Sequence, residues 1–451
     1  MLIYIAKKEI LEHLKSYRFF VAFLFIIVTF FVMLLARHLD YRAKYDDYLL
    51  RVKAQEEALD KYANLNRLSW LAGPIVPPSP MEIIVAPAVI SDVAVQQSTR
   101  SLDDDPLDTV RLELDMIALI GLLGSLLALL LSYDSINREV HEGTLRLLLS
   151  TGIPRIKIIV GKILGGSIAA TLPIASIFIL TSLWLAVTGG LGWGINQWVS
   201  LLGISLVSLI YIMFFYCLGT FLSSIILDQT LSALSCFSVW IFFVFAIPIL
   251  SPYIARQTLK IPDPGQVQRE INYILNVERD DAFRKIVLPL IEQGLSHNEA
   301  LAQSNFGEIN RMYTERVNAV INNFKIAATR QTKLAARLAC ISPYSTYLLA
   351  VEEISGLGIE RFQHLNNIIS NWSIKFREYA ENRFNEAIKQ NPMFTYENKL
   401  DISNAPRFKY EEPNLSFKFS NAIPYILLIM AYFLMPLFLF LFTFNSKRTL
   451  L

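Results

Sequence analysis

The sequence predicts a mostly α-helical, polytopic membrane protein with six transmembrane helices and a largely helical extracytoplasmic domain. Of the 451 residues, 53% are hydrophobic and only 18% are charged, and the mean hydropathy is +0.41. A soluble domain carries roughly a quarter charged residues, and a disordered chain needs the opposite balance. The apolar residues are concentrated in uncharged runs of about twenty residues, the length that crosses a bilayer as a helix.

Six such runs define the predicted spans, at residues 19–36, 116–133, 163–187, 198–226, 231–253 and 422–444. None has an ionisable residue in its core, which disfavours a transporter driven by a proton or ion relay. Lys and Arg cluster before the first span, between the second and third, and after the sixth. Because the number of spans is even, these basic segments share one side of the membrane, which the positive-inside rule identifies as the cytoplasm.

The segments between the spans have distinct patterns. Residues 1–18 alternate apolar and charged residues at helical spacing, which predicts a cytoplasmic amphipathic helix. Residues 37–115 form an extracytoplasmic segment, in which the Ile- and Val-rich stretch Met81–Val95 predicts short strands. Residues 254–421 are long enough for an extracytoplasmic domain, and their three- and four-residue apolar spacing predicts helices. Residues 445–451 form a cytoplasmic tail.

The cytoplasmic loop 134–162 carries the most informative pattern. Its spacing predicts one amphipathic helix over 136–149, suited to docking on a soluble partner. Acidic and basic residues three and four apart would share one face of it, and leucines would form an apolar face. A bend, a helix end and a return to the bilayer are predicted further along. The charged face consists of Glu139, Glu142 and Arg146, and the apolar face consists of Leu145, Leu148 and Leu149. The bend is predicted at Gly143 and Thr144, the helix end at Pro154, and the return to the bilayer at Arg155 and Lys162.

This loop resembles the loop between the second and third helices of ABC-2-type ABC transporter permeases, in a subgroup with large extracytoplasmic insertions. The family's proline more often falls where Gly152 stands, and here it is Pro154. In the family this element is a coupling helix that contacts the ATPase subunit. The resemblance therefore implies an ATPase-coupling role for Glu139, Glu142, Gly143, Thr144, Leu145, Arg146, Leu148, Leu149 and Arg155, with Gly161 and Lys162 also matching the motif.

The chain contains no Gly-x-x-x-x-Gly-Lys-Ser/Thr phosphate loop, so it is not expected to be an enzyme that hydrolyses ATP. A separate ATPase subunit is implied, and ATP and Mg²⁺ are expected there, with no cofactor or metal in this chain. The resemblance also implies a second permease subunit, identical or related, in the cytoplasmic membrane of a prokaryote. Both termini are expected in the cytoplasm, and no nucleic-acid partner is expected.

Three functions remain open at this point. The leading hypothesis is the permease subunit of an ATP-driven exporter for an amphiphilic or polymeric substrate. The alternative is a mechanotransmitting subunit that acts on an extracytoplasmic protein partner without transporting a substrate. A membrane-anchored structural or sensor protein would need no ATPase, but it leaves the loop motif without a role.

Overall fold

The computed structural model describes residues 2–61, 73–86, 115–150, 153–188, 192–295, 297–391, 398 and 404–446. Within these ranges the chain is helical and contains no strand, which confirms the predicted fold class. Among the described residues, six helical segments are long and apolar enough to cross a membrane, which confirms a polytopic helical membrane protein.

The first span belongs to an unusually long helix. The helix α1 covers Leu2–Leu14, and α2 then runs from Tyr17 to Lys61. At about 1.5 Å per residue, α2 is more than twice as long as the roughly 30 Å hydrocarbon core. No Gly or Pro interrupts it. Ion pairs one turn apart on its charged half, Lys44 with Asp40 at 3.1 Å and Arg51 with Asp47 at 2.7 Å, favour its continuation.

The remaining spans and the loop helices follow in chain order. The second span consists of α3, a π-helical turn over Ile120–Gly124, and α4. The fifth consists of α9, a π-helical turn over Phe242–Ala246, and α10. The bounds are α3 Met116–Leu119, α4 Ser125–Ser132, α5 Asn137–His141, α6 Thr144–Ser150, α7 Arg155–Val187, α8 Ile195–Ile225, α9 Gln229–Ile241 and α10 Ile247–Thr258.

The long segment between the fifth and sixth spans is helical in its described part. A third π-helical turn, Ile274–Glu278, lies between its first two helices. The bounds are α11 Pro264–Tyr273, α12 Arg279–Ile286, α13 Leu288–Glu292, α14 His297–Gln303, α15 Phe306–Ala339, α16 Pro343–Ser355 and α17 Ile359–Gln390. The sixth span is α18, Leu415–Ser446, so this helix starts before the uncharged run at 422.

The expected strands after the proline-rich turn are wrong for the described residues 81–86, and residues 87–95 lie outside the described part. Pro80–Ile83 forms a single 3₁₀ turn, in which the Ser79 N–H donates to Glu82 Oε1 at 3.0 Å. Ile84 and Val85 are almost completely buried against the spans. They are apolar because they pack on helices, a requirement that looks the same in sequence as strand formation.

The core lies where the spans meet α16. The second, third and fourth spans are mostly buried in their apolar parts, whereas in the first, fifth and sixth spans less than a quarter of the apolar part is buried. The short helix α16 packs on α8 and α18. Its Tyr347 stacks on Tyr211 with 4.4 Å between ring centroids, and its hydroxyl is 2.9 Å from Ser208 Oγ. The segment after the fifth span therefore returns to the bundle and is continuous with its core.

Candidate functional site

A buried ion cluster joins the amphipathic helix, the loop and the third span. Lys162 lies near the start of α7 and is only 3% exposed. Its Nζ is 3.0 Å from Glu139 Oε1 of α5 and contacts Glu9 Oε1 of α1. Removing a charged lysine side chain from water costs desolvation free energy unless an opposite charge pairs with it. The two carboxylates provide that pairing, and they come from separate elements, so the cluster holds α1, α5 and α7 together.

Two glycines allow α1 to lie directly against α7. A Cβ added at Gly165 would lie 2.5 Å from the Ala6 carbonyl oxygen and 2.8 Å from Glu9 Cβ. A Cβ at Gly161 would lie 2.9 Å from Ile5 Cγ2. No larger residue fits either position with this packing. The close approach brings Glu9 within reach of Lys162.

His13 completes the inner face of α1. Its Nε2 lies 3.3 Å from the Tyr216 hydroxyl of α8 and 3.9 Å from Glu9 Oε2. Burial, followed by the positive charge of Lys162, lowers the pKa of His13 from 6.5 to about 4. The imidazole is therefore neutral at neutral pH, and Lys162 is the charge that the two carboxylates balance.

The entry to the loop is fixed by α8. Ser223 Oγ accepts hydrogen bonds from the backbone N–H groups of Ile136 at 3.1 Å and Asn137 at 3.2 Å. These are donors at the start of α5 that would otherwise lack partners. Asn137 is fully buried, and its Nδ2 donates to the carbonyl oxygens of Tyr133 at 3.3 Å and Ile226 at 3.4 Å. The C-terminal ends of the second and fourth spans thus hold α5 in place.

The loop contains two short helices, so the expectation of one helix over 136–149 is wrong. The break lies between α5 and α6 at Gly143, whose φ is +73°. This left-handed conformation is accessible to glycine at little cost. No atom lies within 4 Å of where a Gly143 Cβ would be, so backbone conformation, and not space, is what requires glycine.

The break at Gly143 separates residues that the sequence analysis placed on one face of a single helix. Glu139 and Leu145 point inward and are 9% and 1% exposed, and Leu145 packs in a cluster with Ile159 and Phe440. Among the other expected coupling residues, the exposed ones are Glu142, Gly143 and Thr144, and the partly buried ones are Leu148 and Arg155. The side chains of Arg146 and Leu149 lie outside the described part. Leu147, which the sequence did not single out, is 71% exposed.

Sequence reasoning missed Glu9, His13, Tyr216 and Ser223. A signal for Glu9 was present: Ile5, Glu9 and His13 are spaced four apart and so share one face of α1. A carboxylate on the buried face of a helix rich in lysine indicates a partner cation elsewhere. Ser223 and Tyr216 gave no such signal, because hydroxyl residues within an apolar span also serve in ordinary helix packing.

Comparison with protein families gives one result that covers almost all of this architecture. The sequence profile of a family described as "ABC-2 family transporter protein" matches residues 3–447. A comparison with curated proteins finds no match. The matched range includes the amphipathic helix, the loop and the six apolar helices of the described part of the chain.

Proposed function

Because the chain belongs to the ABC-2 family of transporter proteins, and is thus a membrane component of an ABC transporter and not its ATPase, we propose that it couples ATP hydrolysis to export. The ATPase is a separate subunit that carries ATP and Mg²⁺. Two permease subunits, identical or related, form the membrane part in the cytoplasmic membrane of a prokaryote. Both termini of this chain lie in the cytoplasm.

The observation that carries this proposal is the rigid mounting of an exposed loop. Glu142, Thr144 and Leu147 are exposed around the α5–α6 turn, while Glu139 and Leu145 are buried directly beneath them. An exposed leucine beside a carboxylate and a hydroxyl suits docking into a groove on a soluble subunit. We assign ATPase contact to the exposed set, and positioning of the loop to Glu139 and Leu145.

The buried contacts give a path for motion. A push on α6 would reach α5 through the turn at Gly143, and α5 is tied by Glu139 to Lys162 at 3.0 Å. Lys162 is part of the third span and also holds α1 through Glu9. Because these elements are packed and paired, they move together when the ATPase subunits close.

The test is co-purification of the ATPase from the native host with the tagged full-length chain. Glu142→Lys combined with Leu147→Ser should reduce the bound ATPase at least tenfold and leave the unfolding midpoint in detergent unchanged. The matched control is Lys157→Ala, because Lys157 is also exposed and lies close by on the first turns of α7. Equal ATPase recovery with all three proteins would contradict the coupling assignment.

One observation favours the mechanotransmitting alternative. The extracytoplasmic segment is joined to the bundle by α16, whose Tyr344 and Tyr347 are buried in the same core as the spans. Motion of α8 and α18 is therefore passed outward. Reconstituted vesicles separate the two functions: stimulation of ATP hydrolysis by an amphiphilic substrate supports export, and stimulation only by an added extracytoplasmic protein supports mechanotransmission.

A further inference from the structure

The helix α1 has two faces of opposite character. Its inner face packs on α7 and uses Ile5 and Glu9, which are 6% and 5% exposed. Its outer face carries apolar side chains that contact nothing that would cover them within the described part of the chain. Their exposed fractions are 81% for Ile3, 73% for Tyr4, 44% for Leu11 and 40% for Leu14.

The charges of α1 are separated in the same way. Both of its acidic residues are paired, the buried Glu9 with Lys162 and the exposed Glu12 with Arg138 at 3.1 Å. Lys7, Lys8 and the adjoining Lys15 are exposed, and none forms an ion pair with another described residue. On a helix, Lys7 falls between Ile3 and Leu11. The outer face thus combines apolar side chains with uncompensated positive charge.

The position of α1 identifies what covers this face. Only Lys15 and Ser16 separate α1 from α2, the first span, which begins at Tyr17. The start of α2 carries exposed Phe20, Leu24 and Val28, at 60%, 53% and 53%. In a membrane-spanning helix such side chains are covered by acyl chains. The outer face of α1 therefore lies at the membrane boundary, beside a lipid-covered surface.

We propose that the outer face of α1 is a binding surface for anionic phospholipids in the adjacent leaflet. Lys7, Lys8 and Lys15 pair with phosphate headgroups, and Tyr4 and Leu11 insert among the ends of the acyl chains. Interfacial helices bind by this combination of apolar area and attraction to anionic lipid. The surface goes beyond ATPase coupling and is independent of it, because it uses the face opposite Glu9.

The test is lipid retention by the purified full-length chain. Equal amounts of dioleoylphosphatidylglycerol and dioleoylphosphatidylcholine are added to the protein in an uncharged detergent. Native mass spectrometry then counts the lipids of each kind that stay bound. The wild type should retain phosphatidylglycerol preferentially. Lys7→Gln, Lys8→Gln and Lys15→Gln together should weaken that retention by about tenfold or more, given the contribution of each basic residue near an anionic surface. The corresponding triple arginine variant should retain it.

The matched control replaces three exposed lysines of the extracytoplasmic segment, Lys260, Lys285 and Lys375, by glutamine and should bind lipid as the wild type does. Tyr4→Ser with Leu11→Ser keeps Lys7, Lys8 and Lys15 and should also lose retention. This variant separates binding of a lipid, which needs the apolar side chains, from binding of a free phosphate. Equal loss in the control, or unchanged retention in the variant of Lys7, Lys8 and Lys15, would overturn the proposal. Loss of the co-purified ATPase with lipid retention unchanged would overturn it in favour of a protein partner.

Discussion

Lys162 is the residue on which the contact between α1, α5 and α7 depends. Lys162→Met would leave the carboxylates of Glu9 and Glu139 buried without a cation. Breaking a buried pair in this way costs about 3–5 kcal/mol of unfolding free energy. We expect a clear fall in the unfolding midpoint in detergent, and no fall for Lys157→Met, since Lys157 is exposed on the same helix.

A compensated variant sharpens the same prediction. Glu9→Gln, Glu139→Gln and Lys162→Met together remove all three charges, and neutral replacement of a buried ion group is often tolerated. This triple variant should recover much of the lost stability. If it unfolds as early as Lys162→Met alone, packing and not charge is the cause of the loss.

His13 predicts a pH dependence with a definite sign. Its pKa is about 4 in the folded protein against 6.5 for the ordinary group, so the unfolded chain takes up the proton first. The folded state therefore keeps its full stability above pH 6.5 and loses it as the pH falls towards 4, by at most about 3 kcal/mol at 1.36 kcal/mol per pKa unit. His13→Gln should remove this part of the loss in unfolding midpoints measured across that range.

The control for His13 is His141→Gln, because His141 is exposed on the same side of the bundle. It should leave the difference between neutral and acidic pH as in the wild type. A pH profile of His13→Gln identical to that of the wild type would show that the imidazole does not titrate against this environment.

Site residues that belong to the loop motif could be predicted from the sequence. Site residues that are defined by a tertiary contact could not. Glu139 and Lys162 stand in a recognisable spacing, so both could be selected. Their pairing with Glu9 depends on α1 crossing α7 at two glycines, and Glu9 is 153 positions from Lys162. The inward turn of Glu139 could not be predicted either, because the break at Gly143 was read as a bend within one helix.

At the scale of elements, the contact between α1 and α7 is set by small residues. Gly165→Ala would place a Cβ 2.5 Å from the Ala6 carbonyl oxygen, and a backbone atom cannot move aside as a side chain can. Overpacking of this kind costs about 1–3 kcal/mol. We expect a lower unfolding midpoint and faster protease cleavage within residues 2–16.

Gly307→Ala provides the comparison, because Gly307 is inside α15 and nothing lies within 4 Å of its added Cβ. Gly307 is in the first turn of α15, and alanine there should be neutral or stabilising by up to about 1 kcal/mol, because alanine has a higher helix propensity than glycine. If both substitutions have the same effect, the close approach of α1 and α7 does not limit stability.

Helices that consist of a long apolar run could be predicted from the sequence. Helices whose extent or position depends on ion pairs or packing were harder to predict. The six apolar helices follow from uncharged runs, whereas the extent of α2 to Lys61 depends on charge pairs one turn apart. α16 was expected as a helix, but not as part of the membrane bundle. Its hydroxyl-rich start, Pro343 to Tyr347, has no long apolar run, and it is buried by aromatic stacking and a hydrogen bond to α8.

At the scale of the whole molecule, Lys418 joins the long segment between the fifth and sixth spans to the bundle. It is 1% exposed, and its Nζ lies 2.9 Å from Glu412 Oε1. Glu412 Oε2 accepts from Gln197 Nε2 at 2.9 Å, and the Lys418 side chain packs on Gly356 at the end of α16. Lys418→Ala should destabilise this junction by about 1–3 kcal/mol. Limited proteolysis should then cut the segment between the fifth and sixth spans faster while ATPase binding is unchanged.

Lys409→Ala tests whether charge loss alone explains such an effect, because Lys409 is exposed nearby. It should leave the rate of proteolysis at its wild-type value. Unchanged cleavage in Lys418→Ala would mean that the tyrosines of α16 suffice to hold the two parts together.

The long sequence separation between Glu9 and Lys162 also has a consequence for the order in which the paired elements are synthesised. Both carboxylates that pair with Lys162, Glu9 and Glu139, lie upstream of it in the chain, and Glu9 precedes it by 153 positions. When α7 leaves the ribosome, α1 has already been synthesised, so the carboxylate of Glu9 is present before Lys162 is. Insertion of the third span therefore depends on a carboxylate that was translated long before it. In a nascent chain with Glu9→Ala, Lys162 would reach the translocon with only one of its two carboxylate partners.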